Sequence, residues 1–417
     1  MNRLRQFWHA ATKLFDLPRR LRAVRDRRTD PEISAGVLTT SLLLGAVLRV
    51  PSFLQLEAET RRPGWQRLVR RAKPISDDAF AYGLEHARLD ELRAILVSVN
   101  QTLKGNKAFE PAKIHGLLVV ALDANEQFKS RARCCSACSQ RRVKETDAEG
   151  QLVEVTEYYH RQVYAQLNGP NLSVVLDVEP IRPGEDEAAA ALRLLGRMRR
   201  LYGPRFFDAV TVDAWYAKGP FVKAVQRLGW AVVSVLKQER YEIYQEATAL
   251  TQGQSPQRRK WGDRTIDLRE AKDLSFTDAA IGSMRVVLSE ERWQQTRREG
   301  GRKVVEDKQS SWRWLASREL DGYPTEVIWK IGHRRWGVEN HAFNELTQHY
   351  HLEHCPHHEP VAILAWLLIL VTAFVLFEWF ALLHGKLCRL GKTLQEISRQ
   401  LFLALARWEE LEPLWSD

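Results

Sequence analysis

The stretch Lys113–Glu126, KIHGLLVVALDANE, decides how the rest of the chain reads. Six of the seven residues from Leu117 to Asp123 are apolar, with no helical period, no proline and no glycine, and the run stops at a carboxylate. That pattern predicts a strand buried on both faces and ending at Asp123. A second run, Phe206 to Tyr216 within RFFDAVTVDAWYA, carries Asp213 at its far end. Asp208, earlier in the same run, would lie about 17 Å away along an extended strand. Two buried strands thus deliver Asp123 and Asp213 to what could be one edge of one sheet, and in open α/β sheets ligands sit beyond the carboxyl ends of the strands. A lone strand-end aspartate more often caps the turn that follows it, so the pair gains weight only from a third carboxylate.

With 417 residues, 45% hydrophobic and 27% charged, the chain has the composition of a globular protein of two or three domains. A formal charge of +10, from 62 Lys and Arg against 52 Asp and Glu, points to a polyanionic partner, nucleic acid before membrane, because the arginine fork suits phosphate. Fourteen tryptophans, several beside arginine as in Arg313-Trp314 and Arg335-Trp336, suit base stacking next to phosphate binding, although core packing is the commoner use of tryptophan. Five cysteines, three of them at Cys134, Cys135 and Cys138, form no disulfide framework and fit a reducing, cytoplasmic compartment. The N-terminus is basic and amphipathic without a secretory core. Val361 to Phe377 runs 17 residues without a charge. A single span takes about 20, so this segment is read as a buried helix rather than a membrane anchor.

In chain order, residues 1–112 read as an all-helical N-terminal domain. Basic runs at Arg19 to Arg28 and Arg61 to Lys73 flank an apolar segment, and Ser76 N-caps a helix from Ala79 to Asn100. Such a domain either binds duplex DNA or is a bundle with a solvated arginine face. From residue 113 to 237 the pattern becomes α/β. The Asp123 strand is followed by a polar, cysteine-bearing loop, then strands over Val153 to Leu167 and Leu172 to Val178 bounded by turn signals at Asn168-Gly169-Pro170 and Pro183-Gly184. These three strands pair most simply as an antiparallel meander. A helix over Glu185 to Leu201, the Asp213 strand, a helix over Pro220 to Leu228 and a strand over Trp230 to Leu236 complete the order β-β-β-α-β-α-β of a ribonuclease-H-like fold, a mixed sheet flanked by helices. Residues 238–324 look like a β-rich insertion, and 325–417 return to the catalytic domain with buried C-terminal helices.

A long helix predicted from Thr325 to about Tyr350 supplies the third carboxylate. Val327, Ile331, Val338, Ala342 and Leu346 form its apolar face, and Arg335 and Glu339, four apart, share another. An intrahelical salt bridge is one reading of that pair. In the other, the helix crosses the sheet edge and Glu339 joins Asp123 and Asp213. Three carboxylates around one point require a cation, and oxygen-only ligands suit two Mg²⁺ or Mn²⁺ ions of the kind that drive phosphodiester chemistry.

On LDANE at Asp123, TVDAWYA at Asp213 and RRWGVENHAFNEL around Glu339, the chain resembles the IS4-like group of bacterial DDE transposases over roughly residues 113–383. The resemblance implies that Asp123, Asp213 and Glu339 bind the metals and that Arg335 holds a phosphate near the element's end, with Arg334 and Trp336 beside it. It also implies that Trp312 or Trp314, from the insertion, holds a flipped base. The chemistry implied is endonuclease cleavage at insertion-sequence ends to a free 3′-OH, then attack of that hydroxyl on target DNA. The partners implied are terminal inverted repeats and target DNA, bound by a dimer at the bacterial nucleoid. The group's Tyr-x-x-Arg-x-x-x-Glu-x-x-x-x-x-x-Lys signature is half kept: Arg335 and Glu339 match, but Gly332 stands in the tyrosine position and neither Leu346 nor Thr347 is lysine. The chemistry would be absent from a catalytically silent DNA-binding descendant with the same residues.

Cys135 and Cys138 have zinc-ligand spacing, and a partner pair could come from His160 or from His354, Cys355, His357 and His358. The cluster is either half of a structural Zn²⁺ site or a set of reduced thiols.

Overall fold

The computed structural model describes residues 3–147, 150–170, 172–276, 281–299, 302–337, 342–383 and 394–406. They fold into two compact units, residues 1–111, 124–190 and 339–417 in one and 112–123 and 191–338 in the other.

The first unit begins with seven helices, α1 (Arg3–Phe15), α2 (Leu17–Ala23), α3 (Ala35–Val47), α4 (Phe53–Thr60), α5 (Pro63–Val69), α6 (Asp77–Glu85) and α7 (Leu89–Gly105). Ser76 caps α6 as its sequence implies, its Oγ accepting from Ala79 N at 3.2 Å. The single helix predicted from Ala79 to Asn100 is instead two. The chain leaves the helix at His86-Ala87, where Ala87 forms a β-bridge with Asp26 and the His86 carbonyl accepts from Arg27 N at 2.8 Å. A tertiary backbone pairing there replaces one turn of local helix.

The strands of this unit are the second half of β1 (Val119–Ser130), then β2 (Ser139–Thr146), β3 (Leu152–Asn168) and β4 (Ser173–Ile181). β3 lies between β1 and its antiparallel neighbours, pairing β2 through its first half and β4 through its second. The β3–β4 pair is the expected one. β2 falls where the sequence predicts only loop, because SQRRVKET has no apolar face: its residues are alternately half-buried and exposed, and pairing alone makes it a strand. β1 also runs seven residues past Asp123, since β3 supplies backbone partners where apolar burial ends.

After the second unit the chain returns through α12 (Asn344–Tyr350), α13 (Pro360–Leu383) and α14 (Leu394–Ala406). α13 is long and apolar enough to cross a membrane, with 83% of its most apolar window buried inside the protein. It packs on α3, α6, α7 and β4, which explains a helix apolar all round. α7 is fixed to β4 by Arg93, whose Nε donates to Asp177 Oδ1 at 2.9 Å, and by Asn100, which donates to the Val175 carbonyl.

The second unit contains the first half of β1, the end of α8 (Glu187–Tyr202), β5 (Ala209–Val212), α9 (Gly219–Arg227), β6 (Ala231–Val235), α10 (Glu242–Thr251), β7 (Gln257–Trp261), β8 (Arg264–Ser275), β9 (Ser283–Glu299), β10 (Arg302–Ser317) and α11 (Thr325–Arg334). Its strand order is β1-β5-β6-β10-β9-β8-β7. β1, β5 and β6 are parallel, and β10 enters antiparallel to β6 through Trp314, Leu315 and Ala316. The short strand-like pieces expected between residues 238 and 324 are a long β9–β10 hairpin and two further strands. α11 lies across β5, β6, β8, β9 and β10, burying Val327, Ile328, Trp329 and Ile331. The long helix expected up to Tyr350 is described as α11, with helix again at 336–337 and from 342.

Candidate active site

β1 and β5 run in one direction with Val119 beside Ala209, Val120 beside Val210 and Ala121 beside Thr211. Every pair differs by 90 residues; the pairing ends at Ala121 and Thr211, and the same offset carried two residues further would set Asp123 level with Asp213. Alternate residues share a face, so on that offset Asp123 would share the face of Val119 and Ala121, and Asp213 that of Ala209 and Thr211, one strand spacing of about 4.8 Å apart. Asp208 lies at the opposite end, where its Oδ2 accepts from Leu118 N at 2.7 Å and fixes the entry of β1.

Each aspartate also has a local partner. Asp213 caps the turn Ala214–Tyr216, accepting from Trp215 N at 2.8 Å, and its carbonyl accepts from Ser234 Oγ. Asp123 Oδ2 accepts from Arg335 Nη1 at 3.1 Å, with the side chains only 16% and 10% exposed. Arg335, anticipated as a phosphate ligand, is thus poised on the carboxylate itself, just past the end of α11. Glu339 lies outside the described residues. Two other carboxylates of the chain are committed elsewhere: Asp177 is fully buried against Arg93, and Glu345 pairs with Arg49 at 3.5 Å.

α11 reaches this edge over an aromatic bed. Trp314 is fully buried, its Nε1 donating to Ser289 Oγ at 3.1 Å, so it cannot stack on a base without opening the core. Trp312 is half-buried, with Trp336 edge-on at 4.8 Å and Lys237 Nζ 5.7 Å above its ring. Of Trp312 and Trp314, Trp312 is the one with a reachable face. Arg334 is half-buried, and that burial lowers its pKa. Gly332 has a structural cause: a Cβ there would stand 2.5 and 2.6 Å from Trp314 Cζ3 and Cδ2. The indole fills the space that a side chain in the signature's tyrosine position would need.

Beneath this surface lies a network that the sequence pattern does not announce. Glu291, on β9, is fully buried, and its carboxylate accepts from Trp329 Nε1 at 2.9 Å and Arg264 Nη1 at 3.0 Å, with His333 Nε2 at 2.6 Å. Burial pushes this carboxyl's pKa up, but the hydrogen bond and charge of His333, with Trp329 and Arg264, outweigh it and hold the pKa below its usual 4.5. The only trace in the sequence is a glutamate among strand residues in SEERW.

In the first unit, Cys135 and Cys138 are joined by His160 and His358, the four ligating atoms lying within 4.8 Å of one another. Of the five residues that could partner the cysteine pair by sequence, it is these two histidines that meet it.

Residues 159–376 match the transposase DDE domain family. No curated protein matches the chain. Among solved structures, a piggyBac transposase synaptic complex with hairpin DNA is similar at 14% identity and a TM-score of 0.42, over 96% of this chain and 80% of that one. The family match covers more than half of the sequence, and the chain is a member of the DDE transposase family, a family of DNA-transposing enzymes.

Proposed function

We propose that this transposase cleaves DNA at the ends of its element with the aid of two Mg²⁺ or Mn²⁺ ions and transfers the resulting 3′-OH to target DNA, as the IS4-like group does. The observation that carries the reading is the common 90-residue offset of β1 and β5, which favours Asp123 and Asp213 as neighbours on one face. Two half-buried carboxylates just past the parallel pairing of β1 and β5 are a hard, oxygen-only donor set, which fits Mg²⁺ or Mn²⁺ better than a soft metal. Asp123, Asp213 and Glu339 would hold the ions, which supply Lewis acidity at the attacking and leaving oxygens of a phosphodiester. The pairings β4–β3, β3–β1 and β1–β5–β6 support a ribonuclease-H-like catalytic fold.

The protein's own groups then have distinct tasks. Arg335 neutralises Asp123 in the absence of other cations and would turn its fork to a backbone phosphate once they bind. Trp312 with Lys237 offers a stacking face beside a positive charge, suited to an unpaired base at the cut. The basic helices of residues 1–112 are assigned to duplex binding, and a dimer would bring two element ends together.

The test is nicking of a duplex that carries the element's flanking terminal repeat, with and without Mg²⁺. Wild type should cut at the repeat boundary, while Asp123→Asn, Asp213→Asn and Glu339→Gln should bind the duplex without cutting it. Normal cutting by any one variant removes that residue from the metal site. Binding without metal-dependent cutting by the wild type would make the chain a silent DNA-binding descendant.

A further inference from the structure

The Cys135, Cys138, His160 and His358 cluster has a different chemistry from the carboxylates. A tetrahedral zinc with Zn–S of about 2.3 Å and Zn–N of about 2.0–2.1 Å requires ligand separations of about 3.8 Å for S···S, 3.5 Å for S···N and 3.3 Å for N···N. Cys135 Sγ and Cys138 Sγ are 3.7 Å apart. Cys135 Sγ to His160 Nε2 is 3.5 Å and Cys138 Sγ to His160 Nε2 is 3.2 Å. His358 Nε2 lies 3.1 Å from Cys138 Sγ and 3.2 Å from His160 Nε2. Each of these five separations falls within about 0.4 Å of the tetrahedral value, and the sixth, from Cys135 Sγ to His358 Nε2, lies within the 4.8 Å that encloses all four atoms.

Neither a disulfide nor hydrogen bonding alone accounts for this arrangement. A disulfide needs sulfurs about 2.05 Å apart. A purely hydrogen-bonded cluster leaves four atoms rich in lone pairs converging on one point, with one proton at most on each. The two cysteines form a tight turn in which Cys138 N donates to the Cys135 carbonyl at 3.1 Å and Cys135 N to Cys138 Sγ at 3.2 Å, which holds the two sulfurs 3.7 Å apart.

We propose that these four residues bind a structural Zn²⁺ ion, with Cys135 and Cys138 as thiolates and both histidines through Nε2. Two thiolates with two imidazoles select zinc over Mg²⁺, so the ion differs in kind from those proposed for the carboxylates. It joins three chain segments: the turn between β1 and β2, the middle of β3, and the residues that lead into α13. His357, the neighbour of His358, is held independently by Glu85 at 2.6 Å, which keeps the entry to α13 in place for ligation. The ion would fasten the hairpin that continues the Asp123 strand to the segment that follows α12.

The full chain purified from zinc-supplemented medium and dialysed against Mg²⁺ should carry about one zinc per chain by elemental analysis. Cys138→Ser and His358→Ala should reduce it to background, whereas Cys134→Ser, a substitution at the exposed neighbouring thiol, should retain it. Should the ligand variants fail to fold, cobalt exchanged into the wild type decides the matter through thiolate-to-cobalt charge transfer and intense tetrahedral d–d bands. Background zinc in the wild type, octahedral cobalt bands, or full retention by Cys138→Ser would overturn the site.

Discussion

Replacing Gly332 with alanine should destabilise the second unit, although alanine is the better helix former. A Cβ would lie 2.5 Å from Trp314 Cζ3 and closer still to Cε3, and ordinary contact begins at 3.4 Å, so the ring or the helix must retreat by more than 3.4 − 2.5 = 0.9 Å. The ring has little room to do so: it is fully buried, hydrogen-bonded to Ser289, and packed by His333 at 5.2 Å and Trp336 at 5.6 Å. Overpacking of this kind costs about 1–3 kcal/mol, against a helix-propensity gain of about 1 kcal/mol. The net loss is then up to about 2 kcal/mol, which at about 2–4 °C per kcal/mol lowers the calorimetric midpoint of this unit by up to about 8 °C. Gly332→Tyr, which would restore the group's signature, should be worse. In a Trp314→Leu background the same Gly332→Ala change should lose its penalty, giving a coupling above about 1 kcal/mol. A midpoint that rises on Gly332→Ala, or a penalty unchanged without the indole, would refute the steric account.

Two further perturbations address buried charge. Asp177→Ala strands Arg93 at the α7–β4 contact and should cost about 3–5 kcal/mol in chemical denaturation. A variant with normal stability that lacks only Mg²⁺-dependent cleavage would make Asp177 a metal ligand instead. Glu291 has its pKa lowered in the folded protein, so it contributes stability above its usual 4.5, and that contribution disappears as pH falls through the lower folded value. Acid titration of the wild type should therefore lose stability in a window below about pH 4.5 that is shallower in Glu291→Gln. Identical profiles would remove Glu291 from the acid response.

Several elements follow from local pattern. The apolar runs ending at Asp123 and Asp213 are strands because nothing in them admits a helix face, and α8, α9 and β6 lie within a few residues of their expected places because their patterns, helical in the first two and predominantly apolar in the third, are equally local. Where expectation and structure part, a long-range partner is the cause. β2 is a strand because β3 pairs with it, the helix from Ala79 breaks because Asp26 bridges Ala87, and Trp314 is core because α11 lies over it. None of these partners leaves a local mark.

By itself the sequence determined the chemistry the molecule can offer: the strand-end aspartates, the Arg335–Glu339 spacing, the basic surface and the cysteine pair are facts of residue type and period. The tertiary structure decided which of these groups meet. Register between β1 and β5 runs the chain toward Asp123 and Asp213 at one end of the pair, the path past α11 swings Arg335 onto Asp123, and folding from three distant segments brings His160 and His358 to Cys135 and Cys138. Convergence of that kind depends on backbone pairing and packing between residues up to about two hundred positions apart, for which a linear pattern carries no signal.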